Sequence, residues 1–417
     1  MLGGRYGKRV VVLAGQGNNG ADGKAAASSP PARGVHVTVF DAPFPPALPP
    51  SDLVIDAAYG TGFRGEFHAP DPNGAPVLAV DIPSGVDGLT GHAGAGVLPA
   101  DRTVTFAAYK PGLLFPPGSV LAGEIEVADI GLPTPSYAHL VEAVDVAGWL
   151  PYRTADSHKW RTATWIVAGS ATMPGAARLA ASAAQRTGSG MVRHSAPGVG
   201  HDPMLPTEVV TKLLPQTGWA REVLDDLDRF HSVVIGPGLG RADTTAASVR
   251  DVVTRCPLPM VVDADGLFAL AWSSEGAASV LRARTAQTVL TPHDGEYSLL
   301  MGSRVGSDRV VAARRLADQT RSVVLLKGAA TVVAAPNGGV LVVDTGDERL
   351  ATAGTGDVLS GIVGSLLAQG MDAWPAAAAG AWIHGMAARR GPERGLVASD
   401  LPPLIPAVLA DLDLLAD

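Results

Sequence analysis

The chain has 417 residues, 47% of them hydrophobic and 17% charged, with a formal net charge of -8. That length exceeds what one ordinary core fills and the composition excludes a disordered chain, so two globular domains are expected. The acidic balance and the absence of basic runs exclude a nucleic-acid footprint, and the single cysteine, Cys256, excludes an internal disulfide or a multi-cysteine metal site.

The first element is an apolar strand running into VVVLAGQGNNGADG, residues 10–23, where Gly15, Gly17 and Gly20 stand in the spacing G-x-G-x-x-G. With VHVTVFD ending at Asp41 about 20 residues on, this is the pattern of a dinucleotide-binding strand–loop–helix, and a hydride-transferring dehydrogenase is one reading of it. KAAASSPPARG follows where a crossover helix belongs, and Pro30 and Pro31 predict that no helix forms there. The proline-rich DAPFPPALPPS, 41–51, predicts a surface loop. Three more strands follow in DLVIDAAYG, PVLAVDIPSG and TVTFAAYKPG, with Asp56, Asp81 and Ser84 at positions where a turn or cap would explain them equally well. The strand pattern lapses between Gly131 and Lys159, which places the domain boundary near residue 140.

The second half repeats the device with WIVAGS, SVVIGPG, MVVDADG, TVLTPH and SVVLLKG. Continuous apolar strands alternating with Ala/Leu-rich segments predict an α/β class, parallel sheets covered by helices on both faces, with function at the strands' C-terminal ends. Gly354, Thr355 and Gly356 form a turn opening into a long helix, whose free N–H groups suit an anion. Asp357 lies in its first turn, either as a cap or as the base accepting a hydroxyl proton during phosphoryl transfer. Lys327 leaves an apolar strand ahead of a hairpin at Asn337, Gly338 and Gly339; His293 ends another strand. No apolar run reaches the ~20 residues of a membrane helix, so a cytoplasmic protein without a membrane partner is expected.

From about residue 145 to 400 the chain resembles the ADP- or ATP-dependent NAD(P)H-hydrate dehydratases, a branch of the ribokinase-like fold. The resemblance rests on Ser157-His158-Lys159, AGSATMPGAARLAASAAQRTGSGMV, GPGLG, DADGL, LTPH-x-GE, LLKGAAT and AGTGDVLSG, in that order. It departs at Asp294, where the family usually has proline, and at Thr355, where glycine is common. It implies that Lys327, Gly328, Ala329, Ala330, Thr331 and Gly356 hold the adenine nucleotide, and that Ala176, Gly238, His293 and Asp357 line the site for NADH or NADPH hydrated on its ring. Phosphorylating the ring hydroxyl and eliminating phosphate would then restore the (6S)-hydrate to NAD(P)H, with ADP or ATP as co-substrate and Mg2+ on its phosphates.

GQGNNGADG, DLVIDAAYGTGFRG, AVDIPSGVDG and TVTFAAYKPGLL together resemble the NAD(P)H-hydrate epimerase domain often fused in front of the dehydratase. That resemblance implies a Rossmann-like domain over 1–140 and a ribokinase-like domain over 141–417, each three-layered α/β/α. In the first, Asn18, Asn19, Gly20, Ala21 and Asp22, with Gly60, Thr61, Gly62, Phe63, Arg64, Gly65 and Glu66, would surround the substrate. Asp81 would be the acid/base, and Asn19, Asp56 and Ser84 the ligands of a potassium ion. The chain begins almost on its first strand, reads NNGAD for NNGGD, and lacks the composition of two family helices, so a reduced domain with weak or absent epimerase activity is expected. The resemblance further implies a homo-oligomer. The alternatives are a ribokinase-like kinase of a hydroxymethylpyrimidine or thiazole alcohol, a non-catalytic nucleotide-binding module, and the dehydrogenase, in that order.

Overall fold

A computed structural model describes Met1, residues 6–28 and residues 34–416. Contacts divide the chain between Ser136 and Tyr137.

The first unit is a parallel sheet of β1 (Lys8–Ala14), β2 (Val35–Asp41), β3 (Leu53–Ala57), β4 (Val77–Val80), β5 (Arg102–Phe106) and β6 (Glu124–Ala128), in the order β2-β1-β3-β4-β5-β6. β1 is apolar on both faces because both are covered: Val11 and Leu13 pack with Val54, Phe67 and Val77, while Val10 and Val12 pack with Leu53. The strand order reverses direction between β1 and β3, and in an open sheet of this kind a ligand crevice lies outside the strand ends at that point.

A helix forms where Pro30 and Pro31 predict none. A crossover helix does follow β1, spanning Asn18–Ser28. It starts in the NNGADG segment itself, ahead of the prolines, and the residues described as helical all precede them; Pro30 and Pro31 lie outside the described residues. The edge strand β2 is different. Val37 and Val39 are 36% and 39% exposed, so its apolar side chains are left poorly covered.

The second unit is a ten-stranded sheet of β7 (Ala138–Leu140), β8 (Ala163–Val167), β9 (Met191–Ser195), β10 (Val210–Thr211), β11 (Ser232–Ile235), β12 (Met260–Val262), β13 (Thr288–Leu290), β14 (Val323–Leu326), β15 (Thr331–Ala334) and β16 (Val340–Val343). Its order is β10-β9-β8-β11-β12-β13-β14-β15-β16-β7. All neighbours from β10 to β14 run parallel, and β14, β15 and β16 form an antiparallel meander closed by the predicted hairpin. β7 pairs with β16 in this sheet, so the strand just before residue 140 belongs with the second unit.

The helix Thr355–Ala368 is buried along most of its length. Gly361 and Gly364 permit this: a Cβ on the first would overlap the Ala180 carbonyl oxygen and on the second the Val234 side chain. The N-terminus of this helix is thereby fixed against β11 and the helix Pro174–Thr187, at the edge where β12, β13 and β14 end.

Candidate active sites

Each of β12, β13 and β14 delivers one polar group to that edge. Asp263 follows β12 and is all but fully buried; Lys327 Nζ donates to its Oδ1 at 3.0 Å and Ser360 Oγ to its Oδ2 at 2.7 Å. Lys327 Nζ also stands 3.7 Å from Glu296 Oε2. Burial alone would push the Lys327 ammonium down, but Asp263, Glu296 and Asp357 outweigh it and hold the group above its ordinary value. Asp357 responds oppositely. Burial first, then the negative field of Asp263, raises its carboxyl to about 7, against the attraction of Lys327. A carboxyl titrating near neutrality, beside a cation and a helix N-terminus, suits a general base for a hydroxyl proton.

Gly356 completes this corner, since a Cβ on it would stand 3.4 Å from Lys327 Nζ. The segment Gly328–Ala330 crosses from β14 to Thr331, the first residue of β15, with Gly328 and Ala329 exposed. His293 is no core imidazole. Its Nδ1 accepts from Gly295 N at 2.9 Å while its main-chain N–H donates to Glu296 Oε2 at 2.9 Å, and its side chain is 59% exposed. Because Nδ1 accepts, the neutral ring carries its proton on Nε2, which stands 3.6 Å from Glu296 Oε2.

Ala176 and Gly238 meet on the other side of the corner. Gly238 has φ +64, and a Cβ there would lie 2.9 Å from the Ala176 Cβ. Gly236 (φ +123) packs on the Asp263 carbonyl in the same way. Gly240 N and Arg241 Nε each donate to Asp265 at 2.9 Å, which fixes the loop to the segment after β12.

In the first unit the glycine loop packs backbone on backbone. A Cβ on Gly15 would overlap the Ala58 carbonyl oxygen, and one on Gly20 the Gly15 carbonyl oxygen. Asn19 is buried at the β1/β3 crevice beside Gly60, and neither its Oδ1 nor its Nδ2 has a partner among the described residues. Asp56 is buried at the end of β3 and accepts from Ser84 Oγ at 2.6 Å, Ser84 N at 2.9 Å and Ala58 N at 3.2 Å; burial nevertheless raises its carboxyl. Asp81 adopts φ +69 and forms an ion pair with Lys110, whose ammonium also donates to Thr105 Oγ1 at 2.9 Å and the Phe106 carbonyl at 2.8 Å. Lys110 opens onto a cleft of about 450 Å³ that it lines with Thr61, Arg64, Asp87, Leu89 and Tyr109. Among the other predicted residues, Asn18, Ala21, Asp22, Gly62, Gly65 and Glu66 are exposed, and the Phe63 ring lies against that of Tyr59, centroids 4.3 Å apart and tilted by 35°.

The sequence profile of the NAD(P)H-hydrate dehydratase family matches residues 164–409, and that of the YjeF-related protein N-terminus matches residues 40–112. The bifunctional NAD(P)H-hydrate repair enzyme Nnr of Moorella thermoacetica is 37% identical over 97% of this chain and 88% of its own length. The chain belongs to the bifunctional NAD(P)H-hydrate repair enzymes. The Escherichia coli member is 34% identical over 94% of this chain and 83% of its own length. An ADP/ATP-dependent NAD(P)H-hydrate dehydratase from Bacillus subtilis, co-crystallised with ATP and Mg2+, superposes with a TM-score of 0.55 at 29% identity, covering 65% of this chain and 97% of that one.

Membership of this family excludes the dehydrogenase reading, and likeness over nearly the whole chain favours repair over the small-molecule kinase. The sites are also held by groups to which the sequence assigned no role in them: Asp263, Glu296 and Ser360 in the second unit, and Lys110 in the first. DADGL and LTPH-x-GE carried two of these, but a strand-end acid and a helix N3 glutamate each have an ordinary structural use, as turn former and as cap.

Proposed function

We propose that Asp357 is the base of an ADP- or ATP-dependent dehydration of (6S)-NAD(P)H hydrate. Its carboxylate takes the proton of the ring hydroxyl as that oxygen attacks the terminal phosphoryl group; the new O–P bond forms as the bridging P–O bond to the nucleotide breaks. Lys327 and the N–H groups at Gly356 stabilise the phosphoryl charge. Phosphate then departs with the C–O electrons, the neighbouring ring carbon loses a proton, and the dihydropyridine is restored. The observation carrying this reading is the shared corner of Lys327, Gly356 and Asp357.

Ala176, Gly238 and the Nε2–H of His293 serve the hydrate, and Gly328, Ala329, Ala330 and Thr331 the nucleotide. Mg2+ comes with the polyphosphate, as a hard cation that prefers phosphate and water oxygens. The test supplies hydrated NADH with ADP or ATP and Mg2+ and follows the reduced-nicotinamide absorbance.

For the first unit we infer an epimerase of low activity, with Asp81 as acid/base and the residues around Asn18–Asp22 and Gly60–Glu66 contacting substrate. The poorly covered β2 supports a weakened domain. Asn19 Oδ1, buried and without a partner among the described residues, and the oxygens of the buried Asp56–Ser84 pair fit a potassium ion, whose charge would steady the crevice. Interconversion of the two hydrate epimers by the full chain without nucleotide tests this. A homo-oligomer, as the family resemblance implies, is tested by sedimentation.

A further inference from the structure

Arg309 begins the helix Arg309–Thr320, a place where the helix dipole disfavours a cation. Its guanidinium explains the position. Nη1 stands 2.9 Å from Asp294 Oδ1 and 3.0 Å from Oδ2, and Nη2 donates to the Lys327 carbonyl at 2.7 Å. The same Nη2 lies over Gly328, where a Cβ would come within 2.7 Å of it. Nε is buried with no partner among the described residues, a loss that only well-made bonds elsewhere on the group offset. The backbone under it is fixed, because Asp308 caps the helix by accepting from Val311 N at 2.8 Å.

The two partners belong to different halves of the site. Asp294 immediately follows His293 on the hydrate side, and the Lys327 carbonyl opens the Gly328–Thr331 nucleotide loop. Their strand ends are already tied once, by Lys327 N donating to the Pro292 carbonyl at 2.9 Å.

Resting on the dehydratase reading above, we propose that Arg309 is a positioning residue that couples the two substrates: by fastening the His293 turn to the nucleotide loop, it makes occupancy of either site order the other. Ordering both loops in one event gives positive cooperativity without a direct contact between ligands.

The test is two-substrate steady-state kinetics of the full chain with ADP and hydrated NADPH, comparing Arg309→Gln, Arg309→Lys and Asp294→Pro; proline suits the first position of a helix. In the parent, the KM for ADP falls several-fold as hydrate approaches saturation. Arg309→Gln and Asp294→Pro each abolish that dependence and raise the KM for ADP by about tenfold, with kcat changed far less, and the double variant adds nothing further. Arg309→Lys restores part of the coupling. Retained coupling in Arg309→Gln, or additive effects in the double variant, overturns the proposal, as does a lowered Tm and kcat with coupling intact. A parent chain that does not dehydrate the hydrate at all defeats the dehydratase reading instead.

Discussion

The Lys327 ammonium and the Asp263 carboxylate stand 3.0 Å apart, and the second oxygen of Asp263 is held by Ser360. The cation proposed to face the nucleotide is therefore aimed by the buried acid that follows β12. Asp263→Asn leaves Lys327 with Glu296 at longer range; Asp263 is all but fully buried while the Lys327 side chain keeps 22% exposure, so the loss is near the low end of that for a broken buried pair, about 3 kcal/mol. Thermal denaturation is expected to show the lowered Tm, and kinetics a nucleotide KM raised about tenfold.

Asp357 links activity and stability with opposite signs. Its folded carboxyl binds a proton more tightly than the unfolded one, so the fold loses stability as pH rises from the ordinary carboxylate range through about 7. Asp357→Asn removes that penalty. Denaturant midpoints should show the variant matching the parent near pH 4 and exceeding it at pH 8, by at most about 4 kcal/mol. The kcat/KM of the parent, which needs the carboxylate, rises with pH through the same region.

Gly356→Ala tests the crowding around Lys327. Alanine favours the helix by up to about 1 kcal/mol, yet its methyl group would stand where the nucleotide approaches the ammonium. Stability is expected to hold or rise while nucleotide affinity, measured by calorimetry, falls.

Lys110→Met removes the cation from Asp81 in the first unit. Epimer interconversion should drop at least tenfold, from whatever level the full chain shows, while ADP-driven consumption of the (6S)-hydrate continues. Equal loss of both activities would mean that the substitution damages the protein generally.

The strands, their C-terminal ends and the corner of Lys327, Gly356 and Asp357 were legible because each leaves a local trace: an apolar run, a glycine turn, a charged residue at a strand exit. The partners were not. Asp263 and Ser360 are 97 residues apart, Asp263 and Lys327 are 64 apart, and only sheet order brings them together. The crossover helix Asn18–Ser28 was missed for the converse reason, since two nearby prolines outweighed a segment that had already completed its turns. Gly15 and Gly20 were legible as members of a G-x-G-x-x-G spacing, and their structural use is close packing on the protein's own backbone.

The most direct measurement supplies chemically hydrated NADH to the full chain with Mg2+ and ADP or ATP, and records recovery of the reduced-nicotinamide absorbance. The account predicts recovery that depends on nucleotide and is abolished by Asp357→Asn, with nucleotide binding to the variant preserved. Recovery undiminished in Asp357→Asn, or none in the parent with either nucleotide, would contradict it.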